Sequence, residues 1–123
     1  MTTYFVSGHL DLTMDEFREH YVPRIAAALV AKAVFVVSDA RVCDLMAQRY
    51  LRDAHALCVQ VFHKLASPRN NVGGFPTVGG FESDSSRDAA MTDASDADIA
   101  WVRPGCTNSG TAANLSRRYF KKP

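Results

Sequence analysis

Short apolar runs alternate with stretches of helical periodicity along this chain, and the alternation predicts a β-α-β-α-β-α-β-α order. Tyr4-Phe5-Val6 is a brief apolar run ending in Ser7-Gly8-His9, a strand followed by a turn. Thr13 stands three residues before Glu16, the spacing of a capping box at a helix start. Phe17, Tyr21, Ile25, Ala28 and Leu29 then recur at helical spacing to about Lys32, with Pro23 placed to kink or break the span. Ala33 to Val37 is a continuous apolar run suited to a strand buried on both faces. A helix is expected from about Val42 to His55, with Leu45, Met46, Tyr50 and Leu51 turned inward. Ala56 to Phe62 reads as the third strand, and its one polar interruption, Gln60, suits a sheet edge.

Residues 64–82, "KLASPRNNVGGFPTVGGFE", hold four glycines, two prolines and two asparagines, which predicts a loop, long for so small a domain. Its repeated "VGGF" suggests two turns presenting Phe75 and Phe81, as part of a lid, a subunit contact or a plain insertion. A helix is expected from near Ser83 to about Thr92, with Asp84, Arg87 and Asp88 on its polar side. Asp98 to Val102 reads as the fourth strand, with Trp101 packed in it, and a last helix starts near Ser109. The whole predicts one α/β domain over residues 1–123. Its fold class is a small Rossmann-like three-layer α/β/α sandwich, with about four mainly parallel strands and right-handed crossovers.

Composition narrows the partners. A net charge of +1 gives no basis for expecting nucleic-acid or membrane binding. The basic run at Arg117 to Lys122 reads as a solvated helix C-terminus that suits the helix dipole. The three cysteines, Cys43, Cys58 and Cys106, form no CxxC pair, and their odd number predicts free thiols in a reducing, cytoplasmic setting. Neither a leader peptide nor an apolar run of about 18 residues is recognisable, so no membrane span is expected. A four-stranded sheet leaves edges uncovered, which predicts a homo-oligomer.

In parallel sheets ligands lie beyond the carboxyl ends of the strands, near the point where strand order reverses. That rule selects the residues after each strand: Ser7-Gly8-His9, Ser38-Asp39-Ala40-Arg41, His63-Lys64, and Arg103-Pro104-Gly105 leading to Ser109-Gly110-Thr111, three of which carry candidate chemistry. At Ser7-Gly8-His9, glycine permits close approach, and His9 is either a donor or acid–base group or a structural residue. At Ser38 to Asp44, Arg41 is fit to pair with phosphate or carboxylate, and Asp39 and Asp44 either bind hydroxyls or cap the helix. At "TNSGTAAN", Ser109, Gly110 and Thr111 open a helix, where exposed N–H groups favour an anion and Ser109 or Asn108 equally suits a simple cap. The histidines and cysteines lack metal-ligand spacing, and no GxxxxGK[ST], GxSxG or GxGxxG motif follows the first strand, so no metal or cofactor is expected.

Together, "YFVSGHLDL", "FVVSDARVCDLMAQRYL" and "DIAWVRPG…SGTAANL" resemble the SLOG superfamily of small Rossmann-like proteins, which includes LOG-type nucleotide phosphoribohydrolases and DprA-like proteins. The resemblance spans nearly the whole chain except the long loop. Its middle segment is similar to domains whose second turn reads G-x-A-R-G-x-D, followed by A-x-x-[YW]. Ala40, Arg41, Asp44, Ala47 and Tyr50 match, whereas Ser38 and Val42 replace both glycines. Val42 is β-branched and resists positive φ, and its side chain stands where backbone amides would approach a phosphate.

The resemblance implies a nucleotide or nucleotide-derived ligand held by Ser7, Gly8, His9, Asp39, Arg41, Asp44, Ser109, Gly110, Thr111 and Asn114. The related nucleoside 2-deoxyribosyltransferases carry D-x-G-x-x-x-E at the last junction, where this chain has Asn108 and Asn114. An amide does not replace an ionised nucleophile, which shifts the expectation from catalysis to binding. The enzymatic alternative, N-glycosidic hydrolysis or transfer, then needs an acid–base from Asp39, Asp44 or Asp84. A third reading is an interaction protein with a degenerate pocket, docking through Phe75, Phe81 or the 64–82 loop.

Overall fold

The computed structural model describes residues 1–40 and 42–121, and Arg41 lies outside the described residues. Strand β1 (Thr3–Val6) is followed by helices α1 (Met14–His20) and α2 (Val22–Val30). Then come β2 (Val34–Ser38), α3 (Cys43–Asp53), β3 (Val59–Lys64) and β4 (Thr77–Phe81). Helix α4 (Asp84–Asp93), β5 (Ala97–Ile99) and α5 (Gly110–Lys121) complete the chain. All strand pairs are parallel, in the order β4-β3-β2-β1-β5, so strand order reverses between β1 and β5. The fold is the expected α/β sandwich, with five strands where about four were read.

Alternation along the strands divides the core. Val6, Phe35 and Val37 face α1, α2 and α3, where they pack with Phe17, Tyr21, Ile25, Ala47 and Leu51. Phe5, Val36 and Phe62 face the other way, onto Met91 of α4. The capping box is present: Thr13 Oγ1 accepts from the Glu16 N–H, and Glu16 Oε1 accepts from the Thr13 N–H. Pro23 breaks the first helical span in two, with Tyr21 at the junction. On α3 the buried positions are Cys43, Asp44, Ala47, Gln48 and Leu51, whereas Leu45 is only half-buried.

Four differences from the sequence reading have physical causes. Strand β4 lies inside the segment read as loop, so Gln60 is not on an edge strand; it is exposed because β4 begins pairing only at Val61. Phe75 packs against the main core and Phe81 stacks on Phe62 at 5.9 Å, so neither side chain is presented for docking. At the reversal point, the Ser7 N–H donates to Ile99 O at 3.1 Å. The next pair, Trp101 N–H and Ser7 O, is bridged by the Tyr21 hydroxyl, which accepts from the first at 3.0 Å and donates to the second at 2.7 Å. Strand β5 therefore stops at Ile99, and Trp101 stacks on His20 at 4.0 Å instead of lying in a strand. Finally, Arg118 is not a solvated cation: it donates to the buried Asp98 carboxylate and to the carbonyls of Thr92 and Ser95.

Among the described residues no helix is long and apolar enough to cross a membrane. The turn before α3 is strained. Val42 adopts φ 67°, ψ −102° despite its β-branch, so it takes the positive φ that the side chain was expected to resist. Such strain costs of order 1–3 kcal/mol, against about 0.5–1 kcal/mol for the extra unfolded-state freedom of glycine. Val42 also packs against the main core, so Val42→Gly relieves the strain but forfeits that contact, and it should leave stability in urea unfolding within about 1 kcal/mol of wild type.

Candidate functional site

Three of the four junctions selected from sequence meet in one cavity of about 650 Å³ at the carboxyl ends of β1 and β2, whereas His63 and Lys64 belong to β3 itself and do not line it. Ser7, Gly8, His9, Asp44, Ser109, Gly110, Thr111 and Asn114 all line it. Gly8 is required there, because a Cβ would stand 2.3 Å from Cys43 Sγ and 2.6 Å from the Tyr21 hydroxyl. Burial pushes the pKa of the Cys43 thiol well above its usual value, and the Asp44 charge adds to that. The thiol is therefore unreactive packing.

Asp39 supports the wall and does not line it. It is fully buried at the end of β2. Its Oδ1 accepts from Arg87 Nη1 at 3.1 Å and Arg69 Nη2 at 3.2 Å, and its Oδ2 from the Arg69 N–H at 2.9 Å and Nε at 3.1 Å. Asn70 Nδ2 donates to its carbonyl at 3.0 Å. Burial pulls the Asp39 pKa upward, but the hydrogen bonds from Arg69 and the charges of Arg69 and Arg87 outweigh it, leaving a net lowering.

Arg69, Asn70, Arg87 and Asp88 line the cavity and were not read as site residues, and Asp84, read only as a candidate acid–base for the enzymatic alternative, lines it too. Arg87 was placed on the polar side of its helix, yet its side chain is only 5% exposed. It donates to Asp39 and Asp84 from Nη1 and to Asp88 Oδ1 from Nε and Nη2, all within 3.1 Å. The signal available in sequence was the i, i+3, i+4 run of Asp84, Arg87 and Asp88, whose facing direction depends on tertiary packing. Gln48 pins the 70–72 segment over the site: its Nε2 donates to Ser38 O and Asn70 O, and its Oε1 accepts from the Val72 N–H, each at 3.1 Å.

Asp44 has a different environment. Its Oδ2 accepts from the Ser38 hydroxyl in a short hydrogen bond, and Ser38 Oγ in turn accepts from the Ala40 N–H. Its Oδ1 is buried with no partner, as is Ser7 Oγ. Burial lifts the Asp44 pKa to about 7; Asp88 and Asp39 add to the rise, while Ser38 and Arg87 oppose it.

At the opposite wall, Ser109 Oγ accepts from the Ala112 N–H at 3.1 Å, so Ser109 is the cap of α5. The first turn of α5 carries no acidic residue, which leaves its positive dipole end uncompensated. Asn114 Oδ1 accepts from Arg117 Nη1. His9 Nε2 accepts from the Arg103 N–H at 2.8 Å, which makes the ring a structural brace with its proton on Nδ1. Among the described residues no group of three or more His, Cys, Asp or Glu side chains is arranged to hold a metal ion. No protein-family model, curated protein or solved structure matches this chain.

Two stability predictions follow from these carboxylates. Removing the Asp39 charge takes a charged acceptor from both arginines, but Arg87 keeps Asp84 and Asp88, so the cost is that of lost charge-assisted hydrogen bonds, about 1.5–3 kcal/mol. Asp39→Asn should destabilise by that amount in urea unfolding, beyond Arg69→Ala, whose side chain is 51% exposed and whose loss leaves Asp39 paired with Arg87. Asp44 carries the opposite pH signature. Its folded pKa of about 7 exceeds the unfolded value near 3.9, so the folded chain holds the proton more tightly. The resulting stabilisation is complete below about pH 4 and disappears as pH rises through 7, a loss of roughly 4 kcal/mol. The stability difference between wild type and Asp44→Asn should fall across that window.

Proposed function

We propose that this chain binds a nucleotide-derived small molecule in the cavity at the carboxyl edge of its sheet. One observation carries the reading: two cavity-lining side chains, Ser7 and Asp44, are 6% and 8% exposed, and each has a buried oxygen without a partner. An unsatisfied buried polar atom costs about 1–3 kcal/mol, which an incoming polar ligand removes. The cavity volume falls in the range of small-molecule sites, and its position at the strand-order reversal is where such sheets bind ligands. The resemblance to SLOG proteins points the same way.

The charge balance limits the ligand. Asp11, Asp44, Asp84 and Asp88 line the cavity against Arg69 and Arg87. The described hydrogen bonds of both guanidiniums go to Asp39, Asp84 and Asp88. A nucleoside or nucleoside monophosphate suits that balance, with any phosphate at the α5 N-terminus; a triphosphate would meet the carboxylates. Cytoplasmic residence and assembly through the sheet edges β4 and β5 belong to the same reading.

The second reading, N-glycosidic cleavage or transfer, is favoured by Asp44, which has an oxygen free for proton transfer. Asp39 is fully committed to its arginines and leaves the list of acid–base candidates.

The test is thermal stabilisation by nucleosides and their mono- and triphosphates, with free base assayed in the same samples. Nucleosides and monophosphates should raise Tm by several degrees, triphosphates less, and no base should be released. Gly110 has open space around it. Gly110→Asp should leave the unliganded protein at least as stable, because an acid suits a helix start, while abolishing the response to monophosphates. Absence of any nucleotide response would overturn the binding reading, and base release that Asp44→Asn eliminates would establish the enzymatic one.

A further inference from the structure

Asp44 is the acid that the ion-pair network leaves out. Arg87 divides its hydrogen bonds among Asp39, Asp84 and Asp88, and Arg69 bonds to Asp39 and faces Asp84. Among the described residues Asp44 receives the Ser38 hydroxyl alone. Four carboxylates, those of Asp39, Asp44, Asp84 and Asp88, therefore share two guanidiniums, and the one without a guanidinium contact is buried. A buried carboxyl that no cation contacts directly is favoured as the neutral acid, here against the more distant charge of Arg87.

The hydrogen bonds also locate the proton. The Ser38 hydroxyl donates to Asp44 Oδ2, while its oxygen accepts from the Ala40 N–H. With Oδ2 engaged as that acceptor, a proton on Asp44 sits on Oδ1, the oxygen with no partner among the described residues. Ser7, on the same cavity, has an equally unpaired hydroxyl.

We propose that Asp44 works as a neutral carboxylic acid whose Oδ1 proton is the hydrogen-bond donor to an acceptor on the bound nucleoside, so that filling the cavity is coupled to one proton. The acceptor is an uncharged ring nitrogen, carbonyl or sugar oxygen, and ligands offering only a donor at this position are disfavoured. This rests on the cavity being a nucleotide-derived ligand site. Among the described residues, the charged and titratable groups around Asp44 are Asp39 just after β2, Arg69 on the 64–76 segment, Asp84, Arg87 and Asp88 on α4, and Cys43 and Tyr21 behind it. The positive end of α3 and Arg87 favour the anion, whereas burial and the neighbouring aspartates favour the acid.

The test has two arms that fail separately. In protein labelled with ¹³C at the aspartate carboxyls, without ligand, one carboxyl should titrate near neutral pH, and Asp44→Asn should lack that signal. If every aspartate titrates below about pH 5, the proposal is overturned whatever binds. In the second arm, adenosine, guanosine, cytidine and uridine are titrated calorimetrically at pH 6 and pH 8, a range in which the nucleosides hold one protonation state. The nucleoside that binds should bind about tenfold more weakly at pH 8, because the competent acid form falls from most to little of the population. Asp44→Asn, whose amide supplies a permanent donor in place of Oδ1–H, should bind with no pH dependence, and Asp44→Ala weakly at both. Equal wild-type affinity at the two pH values overturns the proposal. Binding of no nucleoside at either pH overturns the nucleotide reading, and the carboxyl titration then decides alone whether Asp44 holds the proton.

Discussion

The carboxylate of Asp39 has no exposed surface, so the chain must surround it with donors or leave a bare charge in its interior. It does so with groups from two distant segments, Arg69 before β4 and Arg87 on α4. Those ion pairs draw the 64–76 segment and α4 toward the end of β2. The cavity's walls are where they are because this one charge is satisfied there. A carboxylate holding two arginines also offsets their charge, which makes the site less cationic than its composition suggests.

The two sides of the cavity therefore offer opposite chemistry. The α5 side presents a helix start with no acidic residue in its first turn and a serine already engaged as cap. The α3 side presents an acid that burial keeps from ionising readily, tied at one oxygen to Ser38 and open at the other. A ligand with an anionic end and an uncharged polar end matches both sides. Nothing in this arrangement needs a nucleophile, consistent with asparagine at 108 and 114.

Much of the fold was legible because its signals are local. The Thr13–Glu16 box, the break at Pro23 and the apolar run at 33–37 depend on neighbours within a turn or strand. The junction residues were legible through a topological rule, and eight of the ten proposed line the cavity, Asp39 standing behind it and Arg41 lying outside the described residues. What escaped was set by contacts far apart in sequence. Strand β4 is written "TVGGF", interrupted by two glycines, and at Gly79 a Cβ would lie 2.1 Å from the buried His63 ring. Arg87 looks like a solvated helix residue until Asp39, 48 positions away, comes opposite it. Val42 was read correctly as hostile to positive φ and wrongly as avoiding it, since the surrounding structure imposes the turn regardless.

The Tyr21 hydroxyl stands where a backbone rung between Ser7 and Trp101 would otherwise close. A parallel pair zipped one step further would draw these two chain segments together. With the phenol wedged between them they stay parted just where strand order reverses. The tyrosine that packs in the core thus also decides where strand pairing ends.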